Sequence, residues 1–144
     1  MKSLQLIRDT LAKFDEELPP PASKTQIDRL VKRSQKSLGA PPPEGYLDFL
    51  RQVDGLDFNG LMIYASSQLP DTEPDVPGFV EINLERFRGD LTGFERTLVF
   101  GEDSQQFYAL NLDSAVYRAE TWPGTVLKEF KTFSELLDYA TKDL

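Results

Sequence analysis

Asp54 and Asp57 flank Gly55, and Glu102 stands directly before Asp103. Paired carboxyl groups can divide the acid and base roles of a glycosidase, or hold a magnesium ion. They come first because of what the chain lacks. It contains no cysteine and no histidine. That excludes a disulfide framework, thiolate metal sites, a Cys nucleophile, Ser-His and Cys-His catalysis, and zinc hydrolysis on His ligands. Neither G-x-x-x-x-G-K nor G-x-G-x-x-G is present to cradle a phosphate, and no G-x-S-x-G elbow or calcium-loop spacing occurs. Both carboxylate pairs fall where turns are expected, and Asp is an ordinary turn residue. The expectation is a non-enzymatic chain with no catalytic residue, no cofactor and no metal. A carboxylate-only hydrolase, magnesium-dependent, is the competing class.

Binding is then the chemistry to look for. The formal net charge is −8. Residues 54–120 hold thirteen Asp and Glu against four Lys and Arg, whereas the remainder holds eleven against twelve. Acidic surface repels phosphate backbones, so nucleic acid is not the expected partner. It suits a basic protein, through steering and charge complementarity, and it equally serves solubility alone. The densest acids are Asp71, Glu73 and Asp75, within a proline-rich stretch at residues 66–78, with Glu102 and Asp103 in a separate turn. Aromatic side chains carry much of the energy of protein interfaces. Of Tyr46, Tyr64, Tyr108, Tyr117 and Trp122, the residues nominated as anchors are Tyr64 and Trp122; core packing is the other use of each ring.

The elements that position these residues are legible in outline. One chain of 144 residues, 40% hydrophobic, predicts a single domain with its own core. Leu4, Ile7, Leu11, Phe14 and Leu18 form a helical stripe that Pro19-Pro20-Pro21 should end. Ser23 with Gln26 is a capping-box pattern opening a second helix, and Gly39 is placed to stop it. A third helix should follow Pro43 and Glu44, burying Tyr46, Phe49, Leu50 and Val53 before Gly55. Asn59-Gly60 is a turn, and residues 61–65 read as a strand. Phe79, Ile82 and Phe87 suit a short helix interrupted by Gly89. Residues 97–100, 106–112 and 115–121 suit an antiparallel meander, with one more strand at 126–130 beyond Trp122-Pro123-Gly124. Thr132 with Glu135 opens a last amphipathic helix through Phe133, Leu136, Leu137 and Ala140. This order predicts an α+β fold: a mostly antiparallel sheet of about four to six strands packed with N-terminal and C-terminal helices. No membrane span or signal-peptide pattern is read, so a cytoplasmic location is expected.

Several segments, in order, resemble the SUKH superfamily of Smi/Knr-type cell-wall-assembly regulators and their bacterial relatives, including a YrhA-like branch. They are Pro43-Glu44-Gly45-Tyr46-Leu47-Asp48-Phe49-Leu50, Asn59-Gly60-Leu61-Met62-Ile63-Tyr64, Leu98-Val99-Phe100-Gly101-Glu102-Asp103, Phe107-Tyr108-Ala109-Leu110-Asn111-Leu112-Asp113 and Phe133-Ser134-Glu135-Leu136-Leu137. The match covers about residues 25–144, and residues 1–22 would then be an N-terminal helical extension of the one domain. The acidic turn departs from the family, reading Glu102-Asp103-Ser104-Gln105-Gln106 where relatives often carry extra glycines. The resemblance implies a protein-binding module, with bacterial members acting in immunity by blocking a toxin domain and fungal members acting as regulators through protein contacts. A small-molecule binder ranks behind both.

Overall fold

The computed structural model of the chain describes residues 2–67, 76–122 and 124–144. Its helices are α1 (Lys2–Ala12), α2 (Lys24–Leu38), α3 (Glu44–Leu50), α4 (Phe79–Ile82) and α5 (Phe133–Thr141). A π-helical segment, Asn83–Asp90, continues α4. The strands are β1 (Leu56–Phe58), β2 (Leu61–Ile63), β3 (Thr97–Glu102), β4 (Gln106–Asn111), β5 (Val116–Thr121) and β6 (Val126–Phe130). They form one six-stranded sheet in chain order with every neighbour antiparallel, an α+β fold built on a meander.

Local signals place most element ends. At α2 the Ser23 hydroxyl accepts from the Gln26 amide at 3.1 Å, and the Gln26 side chain accepts from the Ser23 amide at 2.7 Å. Gly39 closes the helix at φ 84°, a left-handed conformation that costs glycine little. Thr132 caps α5, although Glu135 reaches back to the Lys131 amide, one residue short of a full capping box. Asn59 and Gly60, at φ 48° and 86°, make the two-residue turn that joins β1 to β2.

Three expectations change here. Gly89 lies inside the π-helical segment and does not interrupt it. Helix α1 stops at Ala12 and does not run on to the prolines. Asp15 adopts φ 55°, the Asp15 amide donates to Ala12, and the Glu16 amide donates to Leu11, a Schellman arrangement that ends the helix. Leu4 and Ile7 therefore join the core, while Phe14 is 72% exposed. Strand β1 was not expected at all. Asp57, read as a turn acid, is its outward-facing residue opposite Met62. Three residues are too few for alternation to register in a sequence.

The core holds two aromatic groups. Tyr46, Phe49, Phe79, Phe100 and Phe133 pack together at ring separations of 5.0–6.5 Å. Phe87, Phe94, Phe107 and Trp122 form the second, at 4.8–6.1 Å. The segment from Phe79 to Asp90 links them across the edge of β3. Strand β2 pairs with β3 only at Gly101 and Glu102, and the Tyr64 amide donates to the Phe100 carbonyl just beyond. Below that point β3 has no strand on this side. Buried Asn83 takes the place of one: its Oδ1 accepts from the Val99 amide and its Nδ2 donates to the Val99 carbonyl, both at 2.9 Å. Arg88 Nη2 donates to the Thr97 carbonyl at 3.3 Å, and its Nη1 donates to Leu38 at the end of α2 at 2.9 Å.

Two outcomes follow for stability. Asn83→Ala leaves the Val99 amide and carbonyl buried without partners, so equilibrium urea unfolding should show a loss of roughly 2–4 kcal/mol. Ala115 sits at φ 57° in the turn after β4. Ala115→Gly relieves that strain and should raise unfolding free energy by up to about 1 kcal/mol in the same measurement.

Candidate functional site

Glu102 ends β3 and Asp103 opens the turn beyond it, so the two reach different partners although they are adjacent in sequence. Glu102 accepts from Arg86 Nη1 at 2.8 Å and 3.0 Å on its two oxygens, and from the Tyr64 hydroxyl at 3.2 Å. Arg86 in turn lies over the Trp122 ring at 4.8 Å. Tyr64, nominated as a surface anchor, is fully buried, and the Tyr46 hydroxyl donates to its carbonyl at 2.6 Å. Burial, reinforced by the Glu102 charge, pushes the Tyr64 phenol well above its ordinary value, so it stays a donor. Its ring supports the surface and presents no face to a partner. Trp122 is half-buried, stacked on Phe87 and packed on Phe107. It walls the core and leaves only part of its surface exposed.

Asp103 turns toward β4. It accepts from the Tyr108 hydroxyl at 2.6 Å and from the Gln105 and Gln106 amides at 2.9 Å and 3.0 Å. Burial by itself raises a carboxyl, but these hydrogen bonds together outweigh it and hold Asp103 below its ordinary 3.8. Asp54 accepts from both the amide and the hydroxyl of Ser66 at 2.7 Å and 3.0 Å, which fixes the chain after β2. Asp54, Glu102 and Asp103 thus each have their own structural partners. Among the described residues no group of three or more acidic side chains is disposed to hold a metal ion. Asp71, Glu73 and Asp75 lie outside the described residues.

The hollows along α5 and β6 are lined by neither Asp54 nor Glu102. A hollow of about 540 Å³ runs past Val116, Glu129, Phe130 and Glu135, and another of about 460 Å³ past Lys128, Phe130, Asp138 and Tyr139. A third, of about 250 Å³, continues from Tyr139 and Lys142 to Asp103 and Tyr108. The first two share Glu129, Phe130 and Glu135, and the last two share Tyr139 and Lys142. Tyr139, which lines the second and third, packs on Phe130 at 5.3 Å and carries Lys142 over its ring at 4.4 Å. The Tyr139 hydroxyl donates to Gln106 at 3.3 Å, tying α5 to the Asp103 turn. Here β6 is an outer strand. Val126 and Leu127 are 42% and 51% exposed, and among the described residues β6 pairs only with β5. Residues 126–130 were expected as a strand, and its place as the last one in a meander was the signal that its outer edge would be open.

Compared with known proteins, the chain matches no family model, and no curated protein matches it.

Asp103 generates a pH-dependent outcome. A carboxyl with a depressed folded-state pKa contributes stability that is present above its unfolded value of about 3.9 and is lost as pH falls through the folded value. Tyr108→Phe removes one of the donors that depress it. Nuclear magnetic resonance titration of the Asp103 carboxyl should show a higher pKa in the variant, with acid unfolding beginning at higher pH.

Proposed function

We propose that this chain is a non-enzymatic protein-binding module whose partner docks on the α5–β6 side. One observation carries the reading: among the described residues no strand lies along the outer edge of β6, and two apolar side chains of that strand, Val126 and Leu127, are exposed. An open strand edge is a template for pairing, and exposed apolar side chains repay burial in an interface. The resemblance of the sequence to SUKH-type proteins supports an immunity role, in which the bound partner is a toxin domain that the chain blocks. The net charge of −8 favours a basic partner by steering its approach. The saturated hydrogen bonding of Asp54 and Asp103 supports structural roles for these acids. No described helix is long and apolar enough to cross a membrane.

The test is capture of a partner from the native cell by the tagged chain, followed by inhibition of that partner's activity by the purified chain. Leu127→Asp combined with Val126→Asp should weaken the captured complex by about tenfold or more while circular dichroism stays unchanged. Failure of the native chain to retain any protein, or full affinity in the double variant, counts against this surface.

A further inference from the structure

We propose that β6 accepts an extended segment of the partner as a seventh, antiparallel strand, and that this segment reads apolar, basic, acidic in chain order opposite Phe130, Glu129 and Lys128. The inference rests on the protein-binding reading above and names the chemistry of the partner. The regular part of the β6 edge is short. Lys128 pairs with Ala119, yet Glu120 pairs with Val126, so Leu127 is an extra, bulged residue. Regular pairing with β5 runs over Lys128, Glu129 and Phe130. These three residues set what can lie beside them, because residues directly opposite in neighbouring strands share a face.

The requirement for a cation comes from the charge ladder across the last two strands. Arg118 lies 3.4 Å from Glu129 and 3.9 Å from Glu120, so one guanidinium serves two carboxylates. It makes no hydrogen bond to either, and its Nε is buried without one. Glu129 is 56% exposed and stands on the outer strand of the sheet. A Lys or Arg there completes an alternation of cation, anion and cation across three strands. On the opposite face Phe130 is buried, with Lys128 over its ring at 6.0 Å, so an apolar side chain suits the position opposite Phe130 and an acid the position opposite Lys128. Antiparallel addition continues the geometry of every other pair in the sheet.

A second copy of the chain is the poorer occupant. Two antiparallel strands related by a two-fold axis pair residues symmetrically about its position. Centred on Lys128 or on Glu129 this sets Lys128 against Lys128 or Glu129 against Glu129, and directly opposed like charges are destabilising. A register centred on Phe130 avoids both and sets Glu129 against Lys131, but Lys131 lies beyond the last residue of β6, and one centred on Leu127 falls on the bulge.

Two end-blocked nonapeptides test the proposal, Thr-Val-Thr-Phe-Arg-Glu-Val-Thr-Thr and the same peptide with Arg and Glu exchanged. Each is titrated into the nitrogen-15-labelled full chain. The first should shift amides of residues 126–131, slow hydrogen exchange in β6 and bind about tenfold more tightly than the second. Glu129→Arg should abolish or reverse that preference. No shift at millimolar peptide, shifts away from β6, or equal affinity for the two peptides would overturn the proposal. So would a solution dimer that Leu127→Asp dissociates, which assigns the edge to a second copy. If Glu129→Arg retains the cellular partner at full affinity, strand addition fails while the binding reading stands; if the native chain retains no partner, the binding reading itself fails.

Discussion

Strand β3 is twice as long as β2, and this mismatch governs much of the architecture. Each unpaired residue on a strand edge leaves an amide and a carbonyl that must be satisfied if they are buried. Asn83 meets both demands at Val99 with one side chain, since its amide carries an acceptor and a donor at strand-like spacing. Its second amide hydrogen goes to the Phe79 carbonyl, so all three of its bonds are internal. The helix that carries it must then stay against β3 for its whole length. That holds Phe79 in one aromatic group and Phe87 in the other. Arg88 extends the closure to Thr97 and ties it to the end of α2.

From this constraint follows the use of the acidic side chains near the sheet. Tyr46 holds Tyr64, Tyr64 donates to Glu102, and Glu102 pairs with Arg86 on the same segment that carries Asn83. The chain of contacts links α3, the end of β2, β3 and the π-helical segment. An acid embedded in such a network is already committed to the fold. Asp103 is committed likewise to the turn that starts β4. These acids of the sheet therefore have partners within the fold.

The two edges of the sheet differ for a related reason. At one side β1 is only three residues long and ends in a tight hairpin turn, which limits the backbone it exposes. At the other, β6 is five residues long and four of them are exposed. Its defences are a bulge at Leu127 and the charges of Lys128 and Glu129. They interrupt the edge and leave a short regular stretch of it.

Signals carried by near neighbours in the chain were legible from the sequence. The Ser23–Gln26 cap, the Gly39 stop, the Asn59-Gly60 turn, the strand at 126–130 and the closing helix after Thr132 all depend on residues within four positions of one another. Composition alone removed histidine and cysteine chemistry. The helix stop at Asp15 was obscured because Phe14 and Leu18 keep the apolar spacing past it, and β1 was too short to show a pattern. Tertiary structure alone decided what each functional candidate touches. Asn83 meets Val99 across 16 positions and Tyr64 meets Glu102 across 38, distances over which no periodicity operates. Tyr64 became core, Glu102 and Asp103 parted, and the open face fell to β6 and α5. The dihedral and capping preferences of a residue are local properties, but its solvent exposure and its partner depend on how distant segments pack, and only the folded chain determines those.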